Sequence, residues 1–380
     1  MATMGTDVTA ILESIGPTTL APVVSRSLHG RPVEIGDWRV SQLGGGAGNP
    51  VSAGLYRFEG YGREPDRETP WAVVLKIIQS PANLGAVGMG EGDDQAHWNY
   101  WRREPLVYRS GLLAALPQGL AAPRCYDILE LPGDVALLWL EDIRGSTMST
   151  WDLEQYALIA RHLGRLNGAY LSERPLPDFP WFSRQLCRQW MAKLSSLVMP
   201  WEHPAVLARY PTPEVNAFRC MLADSERFLA ALDLLPKTVC HGDTYPTNFV
   251  IRPSVVGGDE SVALDWALTG VQPVGDDLGQ LVFGAHNNLT ARQPEEVTAC
   301  LFQSYLGGLH DGGSRIDPEL VRFGFVASAA LRVGLFRLIM LSMALNSHAA
   351  GAEEPVQEAV APHSFEVNMA LQAFDLLESL

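Results

Sequence analysis

The chain is poor in cysteine. Only five cysteines occur in 380 residues, and no two of them form a C-x-x-C pair. A secreted disulfide framework or a structural zinc site needs such pairs, so the sequence excludes both classes. We therefore expect a protein of a reducing compartment with free thiols. The cysteines are Cys125, Cys187, Cys220, Cys240 and Cys300.

Positive charge is also scarce. Lysine and arginine number 28, against 43 aspartate and glutamate residues, which gives a net charge of −15. An acidic surface repels the phosphates of nucleic acids and of anionic membranes, and it attracts cations. We therefore expect neither nucleic acid nor a membrane as a partner. For a small-molecule ligand, the charge slightly favours a cation.

The sequence has no long apolar run without charges. Its most apolar region, residues 323–345, contains Arg332 and Arg337 and falls short of the ~18 uncharged residues that a membrane span needs. This region is better explained as a long buried helix of a globular lobe. Residues 1–9 carry neither a basic segment nor an apolar core, so we expect no signal peptide and a cytoplasmic location.

Several motifs of other enzyme classes are missing. The G-x-S-x-G motif that would indicate an α/β-type serine hydrolase is absent. No second histidine stands at i+4 or in H-x-H to complete a metal-hydrolase site around His241. The glycine-rich residues 44–50 match neither G-x-x-x-x-G-K-[ST] nor G-x-G-x-x-G at kinase or dinucleotide-binding spacing. The spacing of these glycines therefore excludes a Walker P-loop and a Rossmann dinucleotide-binding loop.

A polar hairpin in the second half of the chain carries the strongest chemical pattern. A short strand, residues 238–240, is predicted to run into H-G-D-x-x-x-x-N; a second strand follows, and a third ends at Asp265-Trp266. Kinases use a carboxylate to take the substrate hydroxyl proton, with an asparagine and a second aspartate to hold Mg²⁺ on nucleotide phosphates. Asp243, Asn248 and Asp265 have that order and spacing. A polar turn with an unrelated aspartate nearby is the alternative.

Two residues in the first third fit the nucleotide side of such a site. Lys76 interrupts the apolar strand predicted over residues 71–78, where an unpaired ammonium would be costly to bury. Glu104 follows in a predicted helix over residues 97–113, in which Pro105 either causes a kink or belongs to the first turn. An edge strand with Lys76 in solvent and an exposed Glu104 remain the alternatives.

A glycine-rich turn between two predicted strands is a third feature of this region. Glycines without side chains let backbone N–H groups approach phosphates. An ordinary glycine-rich hairpin is the alternative. The glycines concerned are Gly45, Gly46 and Gly48.

The H-G-D-x-x-x-x-N and D-W segments resemble the aminoglycoside phosphotransferase and choline kinase-like family. The similarity extends to residues 270–278, which look like the family's G-x-P…D-L segment, and to R-E-x-x-x-Y around Glu104. The resemblance implies an α+β protein kinase-like bilobal fold. Its small antiparallel β-sheet lobe with one helix would be residues 1–140, and its larger, mainly helical lobe residues 141–380, with a hinge at about residues 140–146.

The resemblance also implies a role for each matching residue. Asp243 would be catalytic, with an ordinary pKa of ~3.9, and Asn248 and Asp265 would bind the metal. His241 and Asp277 would brace the loop, although Asp276 and Asp277 could instead cap the helix that begins there. Nucleotide binding would fall to Lys76, Glu104, Gly45, Gly46 and Gly48, and to the hinge residues Leu140, Glu141 and Asp142.

The implied activity is that of a small-molecule kinase that uses ATP or GTP with Mg²⁺. The acceptor would be a hydroxyl of an aminoglycoside-like antibiotic, with a role in resistance, or of a related metabolite such as choline, a sugar, homoserine or a macrolide. A protein kinase is disfavoured, because no A-P-E segment follows Asp265 and a helix predicted near Asp276 leaves no room for a long activation loop. A catalytically silent nucleotide-binding protein remains open. We expect a monomer or a homodimer.

The sequence departs from the family pattern at a few positions, which affect the substrate assignment more than the chemistry. Asn167 and Tyr245 stand where histidine is common, and Thr247 stands where glycine is common. Asn167 falls on an amphipathic helix predicted from an apolar stripe between Tyr156 and Tyr170. On the same helix, His162 is predicted to be a surface residue.

Overall fold

The computed structural model describes most of the chain. The glycines predicted to cover the phosphates, Gly45, Gly46 and Gly48, lie outside the described residues. The described ranges are 6–44, 49, 51–64, 67–84, 94–195, 201–202, 204, 212–255, 257–334 and 364–379.

Ten strands and eleven α-helices lie within these ranges. The strands are β1 Glu34–Gln42, β2 Ser52–Glu64, β3 Arg67–Gln79, β4 Leu120–Ala121, β5 Cys125–Leu131, β6 Val135–Glu141, β7 Lys237–Cys240, β8 Phe249–Pro253, β9 Asp259–Ala263 and β10 Gly270–Pro273. The helices are α1 Val8–Ser14, α2 Pro17–Ser27, α3 Arg103–Arg109, α4 Leu153–Ser172, α5 Leu186–Ser195, α6 Thr212–Ala223, α7 Ser225–Leu234, α8 Asp276–Asn288, α9 Pro294–Asp311, α10 Pro318–Ala329 and α11 Ser364–Ser379.

The first third of the chain forms a five-stranded antiparallel sheet in the order β1-β2-β3-β6-β5. Successive side chains of β3 point to opposite faces, as in any strand. Val73 and Leu75 pack on the face covered by α1 and α2, whereas Val74 and Ile78 join the main core. Lys76 shares the face of Val74 and Ile78, so its ammonium points towards α3 and away from α2. The predicted small antiparallel sheet is therefore confirmed.

The polar hairpin folds as its sequence predicts. β7 leads into the loop, β8 and β9 pair antiparallel, and Asp265 follows β9. Two small sheets hold these strands: β7 pairs with β10, and β4 pairs with β9 in parallel. Strand pairing thus anchors both ends of the loop.

Helices make up most of the second half. The apolar stripe predicted for α4 is confirmed, since Tyr156, Ile159, Leu163, Leu166 and Tyr170 are all buried. A capping box from Asp152 and Gln155 starts this helix. β6 ends at Glu141, and the lobe boundary at about residues 140–146 stays a prediction.

Two expectations for local structure were wrong. The helix predicted over residues 97–113 is only α3, since turns precede Arg103 and Gly111 adopts a left-handed φ of 80° just after the helix. Pro105 lies in the first turn, where its missing N–H costs nothing. His162 is buried rather than at the surface: its Nδ1 lies 3.0 Å from Ser261 Oγ, and burial lowers its pKa to about 4.

Across the described residues, no single helix is long and apolar enough to cross a membrane. One bent pair, Val8–Ser14 with Pro17–Ser27, passes the same length and composition test as a pair.

Candidate active site

The loop after β7 is held from beneath by one carboxylate. Asp277, in the first turn of α8, accepts the backbone N–H of His241 through Oδ2 at 3.0 Å and that of Gly242 through Oδ1 at 2.9 Å. Thr244 Oγ1 donates to the Asp277 carbonyl. Burial raises the pKa of Asp277 to about 6, and the two backbone donors oppose that rise by stabilising the charged form.

The expectation that Asp276 and Asp277 cap α8 was wrong. Gly275 occupies the N-cap position, and neither aspartate makes a capping hydrogen bond. Both side chains turn away from their helix, Asp277 to the loop and Asp276 to Arg332. The bracing role expected for Asp277 is consistent with these contacts.

His241 braces the loop through both ring nitrogens. Its Nδ1 accepts the backbone N–H of Asp243 at 3.2 Å, so Nε2 carries the hydrogen and donates to the Leu264 carbonyl at 2.9 Å. Burial lowers its pKa to about 4, which keeps this neutral tautomer near pH 7. The ring packs edge-on against Trp266, with centroids 4.6 Å apart. One imidazole therefore ties the loop to the strand end that carries Asp265.

A buried polar network anchors the α4 side of this loop. Asn167 Nδ2 donates to the Val239 carbonyl at 2.7 Å and to Asp277 Oδ2 at 3.3 Å. Its Oδ1 accepts the hydroxyl of Tyr305 at 2.6 Å. Sequence analysis noted Asn167 only as a departure from a common histidine. Its amide donates and accepts at once, which a neutral imidazole also does with its two nitrogens.

Asp243 lines a cavity beside the loop and is half-buried. Burial raises its pKa to about 6; the nearby Asp265 carboxylate adds to the rise, while Arg332 opposes it. The ordinary value expected from the sequence was therefore too low. A carboxyl of this pKa is a stronger proton acceptor when ionised than an exposed aspartate would be.

Asn248 lies at the end of this loop, and Asp265 follows β9. Asn248 Nδ2 donates to the Asp243 backbone carbonyl at 3.0 Å, which leaves its amide oxygen as the group able to accept or coordinate. Asp265 adopts a left-handed backbone with φ 57° and ψ 70°. Such a conformation is uncommon for residues other than glycine and clusters at functional sites.

Lys76, Glu104 and Asp265 form a buried ion-pair cluster. Lys76 Nζ lies 2.6 Å from Glu104 Oε2 and 2.9 Å from Asp265 Oδ1. Burial works against the lysine charge, but the two carboxylates outweigh it and raise the pKa of Lys76 above its ordinary value. For Asp265, burial raises the pKa, yet the ammonium more than offsets it and the pKa is lowered. The edge strand and exposed glutamate considered for the sequence are both contradicted.

One cleft of about 410 Å³ between the sheet and the hairpin collects the predicted nucleotide residues. Lys76 and Glu104 form its floor with Asn248 and Asp265, and Val74 adds an apolar wall. The predicted hinge residues Leu140, Glu141 and Asp142 also line it. Of the predicted site residues that the structure describes, only Asp243 does not line this cleft; it lines a neighbouring cavity, with Tyr245 and Gln280.

Arg332 is a site residue that sequence analysis did not identify. It lies on a π-helical turn, Ala330–Gly334, that continues α10. Its Nη1 donates to Asp276 Oδ2 and its Nη2 to the Gly242 carbonyl, both at 2.6 Å. The side chain is 9% exposed. The signal was present, since a charge inside a long apolar run is expected to be buried with a partner.

Arg103 was also missed, and it explains why Glu104 reaches Lys76. Its buried guanidinium donates to the carbonyls of Trp181 at 2.7 Å and Ala267 at 3.0 Å, and also to those of Trp98 and His97. Burial lowers its pKa to about 10, so it stays charged. These bonds fix the start of α3 against the turn after Asp265.

Replacing Gly242 by alanine is expected to destabilise the protein more than the same change at Gly133. Both glycines have a φ of 83°, but a Cβ at Gly242 would meet the Leu268 carbonyl oxygen at 2.4 Å, whereas one at Gly133 would meet nothing within 4 Å. Both variants bear the left-handed strain of about 1–3 kcal/mol, and only Gly242→Ala adds the clash. Urea unfolding followed by tryptophan fluorescence measures the difference; equal midpoints would show that the loop relaxes freely.

Comparisons with known proteins bear on the family and the fold of this chain. Residues 108–317, more than half of the chain, match the model of the phosphotransferase enzyme family. This span contains Asp243, Asn248 and Asp265, and it begins after Lys76 and Glu104. A sequence search of curated proteins gives no significant match.

Three solved structures with a TM-score of 0.51 illustrate the fold. One is an amicoumacin kinase in complex with AMP-PNP, Ca²⁺ and Ami, 14% identical, covering 90% of this chain and 88% of that chain. The second is a GDP and kanamycin complex of APH(2")-IIia, at 13% identity with coverages of 94% and 96%. The third is a choline kinase from Cryptosporidium parvum, at 14% with 91% and 92%. Identities this low show the fold alone, and they confirm the predicted kinase-like α+β fold.

Proposed function

This chain belongs to the phosphotransferase enzyme family, and from that premise we propose that it is an ATP-dependent small-molecule kinase. It transfers the γ-phosphoryl group to a hydroxyl of a small acceptor. The acceptor class implied by the sequence is an aminoglycoside-like antibiotic or a related metabolite. GTP is the alternative donor.

One observation carries the proposal: the loop that contains Asp243 and Asn248 lines two cavities. The cleft of about 410 Å³ contains the cluster of Lys76 and Asp265 together with Asn248. The second cavity, of about 330 Å³, contains Asp243. A nucleotide in the first cavity and an alcohol in the second would bring the γ-phosphorus and the acceptor hydroxyl together beside this loop. A direct transfer of a phosphoryl group requires that proximity.

In the proposed reaction, Asp243 orients the acceptor hydroxyl and takes its proton. The hydroxyl oxygen forms a bond to the γ-phosphorus while the bond from that phosphorus to the β–γ bridging oxygen breaks, and ADP is the leaving group. Arg332 and His241 hold the peptide group before Asp243, through the Gly242 carbonyl and the Asp243 N–H, and Asn248 holds the Asp243 carbonyl. The carboxylate therefore needs little rearrangement when the acceptor binds.

On the nucleotide side, Lys76 neutralises phosphate charge and Glu104 holds Lys76 in place. Leu140, Glu141 and Asp142 contact the adenine from the hinge between the two lobes, residues 1–140 and 141–380. Among the described residues no three histidine, cysteine, aspartate or glutamate side chains form a metal cage. Mg²⁺ in kinases needs none, because one or two protein oxygens and the phosphates hold it.

The residues fit such an ion. The Asn248 amide nitrogen is used by the Asp243 carbonyl, which leaves a hard oxygen ligand, and the Asp265 carboxylate is 31% exposed to the same cleft. We propose that Asn248 and Asp265 hold Mg²⁺. When bound, the ion would neutralise charge that develops on the phosphates.

An ATP-consumption screen tests the proposal. Wild-type protein is mixed with ATP or GTP, Mg²⁺ and a panel of aminoglycosides, macrolides, sugars, choline and neutral alcohols, and Asp243→Ala serves as the blank. The expected result is acceptor-dependent ADP formation by wild type alone. Equal consumption by both proteins would overturn the role of Asp243, and tight nucleotide binding without turnover on any acceptor would favour a silent binding protein.

The acidic limb of kcat/KM is expected at a pH of about 6. Burial, together with Asp265, raises the pKa of Asp243 to about 6 in the free enzyme, and the proton acceptor must be ionised, so activity falls as pH drops through that value. Arg332 lowers this pKa, so Arg332→Gln should move the limb to higher pH. A pH–rate profile of both proteins measures the shift; a wild-type limb near the ordinary aspartate value would contradict it.

A further inference from the structure

The cavity beside Asp243 is walled by aromatic rings. Trp98 and Trp190 pack edge-to-face with centroids 5.2 Å apart, and Tyr245 and Phe283 lie 6.2 Å apart. All four side chains are only half-buried, so they are not part of the sealed core. Aliphatic side chains complete the wall: Leu186, Leu268 and Val333.

These rings come from four separate segments, and each segment is fixed in place. The Trp98 backbone N–H donates to Gln189 Oε1 at 2.6 Å, which joins the loop before α3 to α5, the helix of Trp190. Next to Phe283, Gly284 lets α8 approach the loop, since a Cβ there would meet Pro246 Cδ at 2.3 Å. The aromatic cavity is thus largely preformed, as small-molecule sites usually are.

Charge in the described lining is nearly balanced. Asp243 and Arg332 are its charged members. The guanidinium of Arg332 is occupied by Asp276 and the Gly242 carbonyl, and Asp243 is reserved for the reacting hydroxyl. A polycationic acceptor would lose hydration here and find no further carboxylate among the described lining residues, which is unfavourable for a buried charge.

One uncharged polar side chain in the described lining, Gln280, suits a neutral oxygen. Gln280 Oε1 accepts the Thr244 backbone N–H at 2.8 Å, so its amide NH₂ is the part left to donate. An acceptor oxygen can take that hydrogen bond while its apolar body fills the space between the rings.

On these contacts we propose that the acceptor is a neutral alcohol with an aromatic or alicyclic body, not a cation. This inference rests on the proposed function, because it takes Asp243 as the group that meets the hydroxyl. It departs from the cationic ligand that the net charge favours. The net charge of −15 acts at long range. The side chains that line this cavity instead determine which acceptor groups can lose their hydration beside Asp243.

Binding to probes of matched size tests the proposal without turnover. Saturation-transfer NMR on the full-length wild-type protein, without nucleotide, compares 3-phenylpropan-1-ol and cyclohexylmethanol with choline and 2-deoxystreptamine. We expect the two neutral alcohols to bind at least about tenfold tighter than either cation, a gap of 1.4 kcal/mol. Tighter binding of choline would instead identify the rings as a cation site, and binding of none of the four probes would overturn the proposal.

Variants of Phe283 separate the cavity from general surface binding. Phe283→Ala should weaken the neutral alcohols at least about tenfold, and Phe283→Glu should reverse the preference towards 2-deoxystreptamine. Tyr61→Ala, an exposed aromatic residue on the sheet, is the matched control and should change nothing. Unchanged binding in both Phe283 variants would refute the site.

The two proposals fail in distinguishable ways. If the neutral alcohols bind but wild type phosphorylates no alcohol, the kinase proposal fails and the cavity assignment stands. If wild type phosphorylates only cationic acceptors, the kinase proposal stands and this one fails. Far-ultraviolet circular dichroism of each variant excludes misfolding as the cause of lost binding.

Discussion

Asp243→Asn is expected to lower kcat by about 10²–10⁴-fold, the usual contribution of a positioned proton acceptor. The amide has the size of the carboxylate but cannot take the hydroxyl proton. Nucleotide affinity should be unchanged, because Asp243 does not line the cleft that contains Lys76. Steady-state kinetics with the best acceptor, together with nucleotide titration, measures both quantities.

Stability separates this result from damage to the fold. Burial raises the pKa of Asp243. The carboxyl is still ionised at neutral pH, but its ionisation lowers the free energy of unfolding. Removing its charge should leave the thermal midpoint unchanged or higher. Asp178→Asn is the matched control: this exposed carboxylate, 3.5 Å from Arg184, should affect neither kinetics nor stability. An Asp243→Asn protein as active as wild type would assign the proton to another acceptor.

The hairpin could be predicted because its chemistry is local in sequence. Asp243 and Asn248 lie on the loop between β7 and β8, and Asp265 directly follows β9. The short connections between these strands keep the three residues close in space. Lys76 could be predicted for a different reason. A lysine inside an apolar strand needs a partner, and strand alternation places it on the face opposite α2.

The features that sequence analysis missed depend on contacts between distant segments. Arg332 reaches the Gly242 carbonyl from a π-helical turn after α10, and no local pattern predicts that meeting. Nor does local propensity predict the left-handed backbone of Asp265, which tertiary contacts impose. The extent of α3 was overestimated because the apolar residues before Arg103 follow a helical period while forming turns.

The acceptor cavity could not be predicted for the same reason. Trp98, Trp190, Tyr245 and Phe283 belong to four elements, and each ring by itself has the appearance of an ordinary core residue. Net charge pointed instead to a cation, because composition averages over the whole surface. A site beside a reacting group is decided by its nearest side chains, where water is excluded and electrostatic interactions are strong.

The ion-pair cluster in the cleft contains one ammonium and two carboxylates. Lys76 bridges the sheet to the hairpin, since Glu104 lies on α3 and Asp265 follows β9. Nucleotide phosphates would compete with these carboxylates for the same ammonium. We infer that the ion-pair cluster keeps the two sides of the cleft in register before the nucleotide binds.

Lys76→Met is expected to destabilise the protein by about 3–5 kcal/mol at neutral pH, because it leaves buried carboxylates without their counter-charge. Glu104 is 1% exposed, and burial raises its pKa, so it takes up a proton as pH falls and the loss of stability should shrink in acid.

The double variant Lys76→Met/Glu104→Gln should recover part of the stability but none of the nucleotide affinity. Arg292→Met, which removes an exposed ion pair of 2.8 Å to Glu296, is the control and should cost less than about 1 kcal/mol. Urea unfolding at several pH values measures all four proteins, and a pH-independent loss in Lys76→Met would mean that packing, not charge, holds the cleft together.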